Sequence, residues 1–302
     1  MNCFLTQLHT LEGKNTDKLF YSSERKLMAT TSEDGSLKIY AINDDDFTMT
    51  QLKDIHDHHA PIMSVQFAPL IYKNYILSVG YDKEVYLYSL EEMKSIAPSF
   101  SYAEEKKEVG FFTSAAFFPQ DKSRLVFLVG SSTGDILIFD SINNFEPKFV
   151  KPVPGFIKSI SANKDGQVAI SITGRGVFIF NGLDFFDPIE FGADVHTNLK
   201  VATVAWAPEA PFESQRLLLS AGEDDKLAIW RYTAESGEVN NEAKFDLGAN
   251  IIGAFWNLSG YSLTVLTGKK SEEGLGVEML NLSKSIEGKK NSWSFSPVNI
   301  IS

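Results

Sequence analysis

The amino-acid sequence predicts an all-β protein that is composed of six similar four-stranded sheets. Two sets of markers repeat along the 302 residues with nearly the same spacing. Aromatic residues make up 12% of the chain, and aromatic side chains favour strands over helices. No long stretch shows the apolar periodicity of a helix, so the repeats indicate a sheet protein.

The first marker is a short segment that ends in an apolar–aromatic pair. These segments end at Tyr40, Tyr88, Phe139, Phe180 and Trp230, with a weaker sixth segment that ends at Met279. Successive end points are 48, 51, 41, 50 and 49 residues apart. A period of about 50 residues is typical of a chain in which one supersecondary unit is stacked several times.

The second marker keeps the same phase and contains an aromatic residue upstream of four of the six segments. Phe67 and Phe117 are 50 residues apart, and Trp206 and Trp256 are also 50 residues apart. Because these residues recur at one place in the repeat, we expect all four to occupy equivalent, buried positions on inner strands. They are the predicted structural core.

Each repeat contains four short segments of strand composition that are separated by turn residues. Four antiparallel strands in a repeat of about 40–50 residues are typical of one blade of a β-propeller. We therefore expect a single propeller domain over residues 1–302. Its blades are predicted near residues 18–55, 60–102, 110–153, 156–192, 198–247 and 250–301. The segment Lys269–Gly276 is expected to be a surface connection.

The charge balance and the cysteine count exclude several classes of protein. The chain has 28 Lys and Arg against 39 Asp and Glu, which gives a net charge of −11. A surface this acidic argues against direct nucleic-acid binding. No apolar run approaches the ~20 residues of a membrane span, and the N-terminus lacks the pattern of a secretory signal. Cys3 is the single cysteine, so an intramolecular disulfide is impossible and a reducing compartment is expected.

Several short motifs are candidates for chemistry, and each is better interpreted as a turn or loop. They are the His56, His58 and His59 cluster, the Asp44–Asp46 run, Cys3, Thr173–Gly176 and Gly268–Lys270. A zinc site needs about four ligands at fixed geometry, a calcium loop needs a distal Glu, and a phosphate loop needs a Gly-Lys before a helix. None of these patterns is complete, so we expect no catalytic residue, no metal and no cofactor, and we expect that the protein is not an enzyme.

Three aspartates lie six residues before an aromatic residue. Asp34 precedes Tyr40, Asp82 precedes Tyr88 and Asp224 precedes Trp230 by this spacing. The pattern resembles the WD repeat. In that family a histidine ahead of the blade bonds to the turn aspartate, and His58 or His59 and His196 stand at such places. The resemblance implies that Asp34, Asp82 and Asp224 are structural turn residues.

A narrower resemblance lies in the second, fifth and sixth repeats. The stretch HTNLKVATVAWAPEAPFESQRLLLSAGEDDKLAIWRY and the stretch NIIGAFWNLSGYSLTVLTG are similar to the Sec-thirteen and Seh-one type of propeller. These small WD-repeat propellers are shared by the COPII vesicle coat and the nuclear pore Y-complex. The resemblance implies a scaffold subunit of a membrane-coating assembly, with roles in protein, mRNA and ER–Golgi transport. It places the chain on the cytoplasmic face of the ER and COPII vesicles or at the nuclear pore.

The same resemblance implies a partner that completes the ring. Related coat propellers are open rings of six blades, and a large helical-solenoid coat or nucleoporin subunit donates a seventh blade. Here the first and last predicted blades each have all of their own strands, so apolar edges are expected at both. The expected partner-binding residues are Leu5, Leu8, Leu19, Tyr21, Phe255 and Leu266. The alternative is a general WD-repeat adaptor that reads peptides on its top face.

Overall fold

The fold was described from a computed structural model of the chain. It describes residues 16–297, except 23–25, 44–47, 73, 93, 96–99, 102–109, 120–122, 197–199, 209–214, 258–259, 272–273 and 288–289. Apart from two 3-10 turns, Leu70–Tyr72 and Ser141–Asn143, the regular structure of these residues consists of strands. No helix among them has the length and hydropathy needed to cross a membrane. The chain divides into two compact units, Met1–Pro154 with Ile301–Ser302, and Gly155–Ile300.

The first unit contains three antiparallel sheets. The first sheet is β1 (Thr16–Ser22), β2 (Leu27–Ser32), β3 (Leu37–Ile42) and β4 (Met49–Ile55). The second is β5 (Ile62–Phe67), β6 (Tyr75–Gly80), β7 (Glu84–Ser89), β8 (Lys94–Ser95) and β9 (Phe100–Ser101). The third is β10 (Phe112–Phe117), β11 (Val126–Ser131), β12 (Ile136–Asp140) and β13 (Lys148–Val150). In the second sheet both β8 and β9 pair with β7, so the outer strand is interrupted.

The second unit contains three more antiparallel sheets. The fourth sheet is β14 (Ile157–Ala162), β15 (Gln167–Ile172), β16 (Gly176–Asn181) and β17 (Ile189–Phe191). The fifth is β18 (Val201–Trp206), β19 (Gln215–Gly222), β20 (Lys226–Thr233) and β21 (Glu238–Asp246). The sixth is β22 (Asn250–Trp256), β23 (Ser262–Ser271), β24 (Gly274–Glu287) and β25 (Lys290–Pro297). In all six sheets the first four strands are neighbours in the order in which they occur in the chain, and β9 of the second sheet departs from this order.

The inner and outer strands differ because only the inner strands are covered on both faces. Every residue of β11 and of β15 is buried, and both strands are almost continuously apolar. In β4 and β21 most residues are exposed or half-buried, and polar residues predominate. This gradient from the inside to the outside of each sheet is the physical basis of the repeat seen in the sequence.

One irregularity recurs at the start of the first strand of every sheet. The pairing between the first and second strands shifts by one residue at this place in all six sheets. A bulge of this kind bends the strand and increases its right-handed twist. The six repeats therefore share a backbone feature that the sequence markers do not reveal.

Apolar clusters join neighbouring sheets within each unit. In the first unit, Leu77 and Val79 of β6 pack in one cluster with Phe117 and Phe127 of the third sheet. In the second unit, one cluster joins the fourth and fifth sheets, and another joins the fifth and sixth. The core of each unit therefore lies between sheets, as expected when sheets are stacked face to face.

The four predicted core aromatics each end the first strand of a sheet, and their burial differs. Phe117 and Trp206 are buried, with 5% and 8% of their surface exposed. Phe67 and Trp256 are half-buried and pack at the border of a cluster. The equivalence of position holds for all four residues, whereas full burial holds for two.

One predicted connection is a strand in the structure. Lys269 of β23 pairs with Gly276 of β24, and the ladder continues to Ser271 and Gly274. The expectation that Lys269–Gly276 is a surface connection, and that Gly268–Lys270 is a turn, is therefore wrong. Polar composition indicates exposure, but an exposed hairpin can keep its backbone hydrogen bonds beyond the edge of the apolar core.

The packing of Trp206 leads to a prediction about stability. Its ring lies edge-on to Tyr232 at 5.8 Å, and its indole Nε1 has no hydrogen-bond partner within the described part of the chain. Trp206→Ala should therefore lower the free energy of unfolding by about 3–5 kcal/mol, as for other large-to-small core changes. Trp206→Phe should cost less than about 2 kcal/mol, because an aromatic ring remains and a buried unpaired N–H is removed. Urea unfolding measures both values, and equal losses would contradict this packing.

Candidate functional site

A buried polar hub fixes the turn between β6 and β7 in the second sheet. His58, which lies between β4 and β5, places Nδ1 2.8 Å from Oδ2 of Asp82. Its Nε2 lies 2.8 Å from the hydroxyl of Ser78, which is the donor when Nδ1 carries the proton. The backbone N–H groups of His59 and Glu84 also donate to the Asp82 carboxylate, at 2.9 and 3.1 Å. The segment ahead of the sheet is thereby tied to a turn within it.

The environment of Asp82 keeps its carboxyl group ionised. Burial alone would raise the pKa of Asp82, but the hydrogen bond and charge of His58 and the two backbone donors outweigh this, so the pKa lies below its ordinary value. A carboxylate that accepts several charge-assisted or backbone hydrogen bonds is a strong structural tie.

A second hub of the same design lies in the fifth sheet. His196 places Nδ1 3.2 Å from Oδ1 of Asp224 and Nε2 2.8 Å from the hydroxyl of Ser220. The indole Nε1 of Trp230 donates to the same hydroxyl at 2.7 Å. Ser220 can therefore accept from Trp230 while it donates to His196, and these four side chains on four segments form one network.

Two glycines make room for these hubs. A Cβ added to Gly80 would lie 2.5 Å from Oδ1 of Asp82 and 2.7 Å from Nδ1 of His58. A Cβ added to Gly222 would lie 2.1 Å from Oδ1 of Asp224 and 2.9 Å from Nδ1 of His196. Both glycines are therefore required by the close approach of the histidine to the turn.

The other turns that were singled out in the sequence differ from these hubs. Asp34 is exposed, and its Oδ1 accepts from the backbone N–H of Ser36 at 2.9 Å, which lowers the pKa of Asp34. In the third sheet Thr133 stands at the aspartate position, and its hydroxyl accepts from the N–H of Gly110 at 3.0 Å. In the fourth sheet Gly174 occupies the position with a left-handed φ of +74°. The turn is thus stabilised in a different way in each of these sheets.

The second-sheet hub is also the one group in the described residues with metal-ligand types close together. His58, Asp82 and Glu84 place their ligand atoms within 4.8 Å of one another. Both ring nitrogens of His58 already face Asp82 and Ser78. A metal would have to displace these contacts, so the geometry fits a structural network better than a metal centre.

The expected partner-binding residues lie in three different settings. Leu5 and Leu8 are outside the described residues. Leu19 and Tyr21 lie on β1, where they pair with Thr30 and Met28. Phe255 lies on β22 with 53% of its surface exposed, and Leu266 of β23 is half-buried.

Phe255 occupies a position that is covered in the preceding sheet. Phe255 precedes Trp256 on the first strand, just as Ala205 precedes Trp206. Ala205 packs against the cluster that joins the fifth sheet to the sixth. By register, Phe255 shares one side of the sixth sheet with Thr264 and Leu266, and we name this side the Phe255 face.

The first sheet does not show the apolar exposure that was expected at the other end of the repeats. Met28, Tyr40 and Ile42 are all buried and form a small cluster, against which Met49 packs. The expectation of an exposed apolar face is therefore wrong for these residues.

One exposed aromatic pair is absent from the residues predicted from the sequence. Tyr81, with 53% of its surface exposed, stacks on Phe111 with ring centroids 4.3 Å apart. Equivalent turn positions carry Glu33, Ser132, Thr173 and Glu223. The sequence does contain a signal for Tyr81, because an aromatic residue stands there at a turn position that is polar in the other sheets.

The comparisons with known proteins identify the fold. No protein-family model matches the chain, and no curated protein matches it. Similar solved structures include Sqt1 from Chaetomium thermophilum bound to the N-terminus of the ribosomal protein L10, with a TM-score of 0.67. Two further structures of Sqt1 from Chaetomium thermophilum, whose descriptions name no ribosomal protein, have TM-scores of 0.66. Identity is 16% in each case, with 84% of this chain and 68–69% of the Sqt1 chain covered.

This chain has the fold of a WD-repeat β-propeller. The Sqt1 structures are WD-repeat propellers, and the six sheets described above are its blades. The predicted fold class, an all-β propeller of six blades, is therefore confirmed. The single-domain organisation and the Sec-thirteen and Seh-one type stay predictions.

The close approach of Gly80 to the second-sheet hub can be tested by a double-mutant cycle. Gly80→Ala should lower the free energy of unfolding by about 2–4 kcal/mol, because the new methyl group separates His58 from a buried carboxylate. His58→Ala should have a similar cost. The double variant should cost at least ~1 kcal/mol less than the sum, because both changes break the same contact. Strictly additive losses would show that Gly80 does not act through the hub.

The fifth-sheet hub predicts a pH dependence of stability. Burial is the largest cause that lowers the pKa of His196, and the Asp224 carboxylate opposes it only in part. Below about pH 6.5 the histidine binds a proton in the unfolded chain but not in the folded chain. The stability that the neutral His196 contributes is therefore complete above that pH, and it declines as the pH falls toward the pKa of His196 in the folded chain. The decline can reach about 1.4 kcal/mol per pH unit for one proton.

Urea unfolding at pH 7.5 and pH 5.5 measures this dependence. The wild type should lose more stability between the two values than His196→Asn does. His59→Gln is the matched control, because the His59 side chain is exposed, and it should behave as the wild type. The same pH dependence in the wild type and in His196→Asn would assign the effect to other groups.

Proposed function

We propose that this chain is a non-enzymatic scaffold that binds a partner chain on the Phe255 face of its sixth sheet. The observation that carries the proposal is the exposure of Phe255 at a position whose counterpart, Ala205, packs against the following sheet. A large aromatic side chain on a sheet face is unfavourable in water, and a partner that covers it would bury apolar area. The WD-repeat propeller fold supports this role, because such propellers typically act as scaffolds.

The chemistry of the Phe255 face favours a β-rich partner segment. Leu219 and Ala221 on the corresponding side of the fifth sheet are fully buried beneath the sixth sheet. On the Phe255 face the matching positions are Thr264, which is also buried, and Leu266, which is half-buried, so Phe255 is the exposed residue of this set. Strands from a partner could cover this face by packing against it, as the sixth sheet packs against the fifth. An obligate contact of this type would bury more than ~2,000 Å².

The finer part of the proposal concerns the assembly. We propose a membrane-coating scaffold of the nuclear pore Y-complex or the COPII outer coat, or of both, with a large helical-solenoid subunit as the chain that donates the blade. The sequence resemblance in the second, fifth and sixth repeats supports this assignment. It implies a location at the nuclear envelope or on the cytoplasmic face of the ER and its vesicles. The net charge of −11 is consistent with contacts to protein rather than to nucleic acid.

A second candidate function is that of a WD-repeat adaptor that binds a peptide through the turns of its sheets. The similar protein Sqt1 is bound to the N-terminus of the ribosomal protein L10. The exposed stack of Tyr81 on Phe111 favours this candidate, because paired aromatic rings offer rigid apolar contact area at low entropic cost. Tyr81 lies in the turn between β6 and β7, so its variants can be tested separately from those of Phe255.

Affinity isolation from the source cell with quantitative mass spectrometry tests both candidates. We expect the tagged wild type to recover a large helical-solenoid nucleoporin or outer-coat subunit, and Phe255→Asp to reduce this recovery at least ~tenfold, as for a central interface residue. Leu52→Asp is the matched control, because Leu52 is a similarly exposed apolar residue on β4 of the first sheet.

The remaining outcomes separate the two functions. If Tyr81→Asp no longer recovers a partner that the wild type recovers, while Phe255→Asp still recovers it, the result would favour the adaptor. If the wild type recovers neither a nucleoporin nor an outer-coat subunit, the coat and pore assignment is rejected. Equal recovery by the wild type and Phe255→Asp would reject the Phe255 face as the binding surface.

A further inference from the structure

The connection between β16 and β17 presents the most exposed aromatic side chain among the described residues. Phe186 has 82% of its surface exposed, more than any other large hydrophobic residue in that part of the chain. Single exposed hydrophobic residues are common and need no explanation on their own. The backbone and the charges around Phe186 provide the explanation here.

The backbone on both sides of Phe186 is held in an unfavourable conformation. Phe185 has a φ of +53° and Asp187 a φ of +47°, and neither residue is glycine. A bulky residue in the left-handed region is an outlier, and the proline at position 188 further restricts Asp187. Strain of this kind persists only when the surrounding structure enforces it, and it concentrates at ligand-binding segments.

Phe185 is the residue that anchors this conformation. Its side chain is 6% exposed, and its ring lies 5.1 Å from the ring of Phe180 on β16. Two adjacent phenylalanines therefore have opposite roles, with Phe185 in the core and Phe186 in solvent. The anchor keeps Phe186 in one exposed position before any partner binds, which lowers the entropic cost of binding.

The charged residues that flank Phe186 along the chain are all negative. Asp184, Asp187 and Glu190 are exposed, and residues 176–195 contain no Lys, Arg or His. No ion pair to these three carboxylates is present within the described part of the chain. An exposed aromatic ring that is surrounded by unpaired carboxylates is complementary to an apolar pocket with a basic rim.

We propose that residues 183–188 form a docking element that inserts Phe186 into an apolar pocket on another protein, with Lys and Arg at the rim of that pocket. The inference rests on the proposed function as a protein-binding scaffold. It uses a connection of the fourth sheet, whereas the Phe255 face belongs to the sixth sheet. Variants at Phe255 and at Phe186 should therefore fail independently.

The third sheet provides a matched control for Phe186. Ile142 has 68% of its surface exposed and lies in the equivalent connection of the third sheet, between β12 and β13. The nearby carboxylate of Asp140 is bonded to Arg124 and to the N–H of Ile142, and Glu146 is followed by Lys148, so this connection presents an apolar side chain in a less acidic setting.

Site-specific photocrosslinking of the full chain in the source cell tests the proposal. The photoreactive residue p-benzoyl-phenylalanine replaces Phe186 or, as the control, Ile142, and the cross-linked peptides are sequenced. We expect position 186 to cross-link to one segment of another protein in which apolar residues are flanked by Lys or Arg. Asp184→Lys with Glu190→Lys in the same chain should reduce that cross-link at least ~fivefold, because the electrostatic complementarity is lost.

A binding measurement with a synthetic peptide of the cross-linked segment completes the test. Phe186→Ala should weaken binding at least ~tenfold, as for a hot-spot aromatic residue, while Ile142→Ala changes it less than ~twofold. Both side chains are exposed, so both variants should keep the wild-type unfolding midpoint, and a folding defect cannot mimic the result. Raising the salt from ~50 to ~300 mM should weaken wild-type binding, because exposed charge pairs are screened.

Three results would overturn the proposal. The first is a cross-linking yield that is no higher at position 186 than at position 142. The second is a cross-linked segment without basic residues, or one from a second copy of this chain. The third is unchanged peptide binding in Phe186→Ala. Each of these can occur while Phe255→Asp still abolishes recovery of the scaffold partner, so failure here is distinguishable from failure of the proposed function.

Discussion

The burial of inner strands between neighbouring sheets is the constraint on which the rest of this structure depends. Strands such as β11 and β15 carry apolar residues on both sides, so no sheet is stable by itself and each needs a neighbour. Within each unit, adjacent sheets supply this cover for one another. An aromatic residue that lacks such cover, as Phe255 does, is therefore significant in a way that an isolated surface residue is not. The proposed partner on the Phe255 face would supply the cover that Phe255 lacks.

The histidine–aspartate hubs have a different role from the apolar clusters. Apolar packing is weakly directional, whereas the bonds of His58 to Asp82 and Ser78, and of His196 to Asp224 and Ser220, fix one position of the segment ahead of a sheet against one turn within it. Gly80 and Gly222 show how closely the parts approach, because a single methyl group would separate them. A buried polar network of this kind specifies one arrangement of the loops, and it leaves the exposed residues of the turns, such as Tyr81, in defined places.

The sequence was most informative where one physical requirement recurs in every repeat. The six-bladed, all-β fold class could be predicted because the apolar–aromatic segments correspond to strands with two buried faces, and this requirement does not change from sheet to sheet. The aspartate spacing located Asp82 and Asp224, although it could not distinguish them from the exposed Asp34, because burial of a turn depends on residues far away in the chain. The strand pairing of Lys269 with Gly276 was missed because polar residues in an exposed hairpin have the composition of a loop. Phe186 could not be predicted for another reason: it belongs to a connection that differs in each sheet, so no repeating residue marks its position.

Phe255 and Phe186 are both exposed aromatic residues, but their settings suit different kinds of contact. Phe255 lies on a sheet face beside the buried Thr264 and the half-buried Leu266, where a partner would pack its side chains against the exposed ring. Phe186 is a single side chain on a strained connection with an acidic surround, which suits a small pocket and a contact that depends on ionic strength. A cover over a sheet face is obligate by its nature, because its loss leaves apolar surface in water, whereas the release of one ring and three carboxylates returns mostly polar surface to solvent. If both proposals hold, the scaffold would keep one partner permanently while it exchanges another.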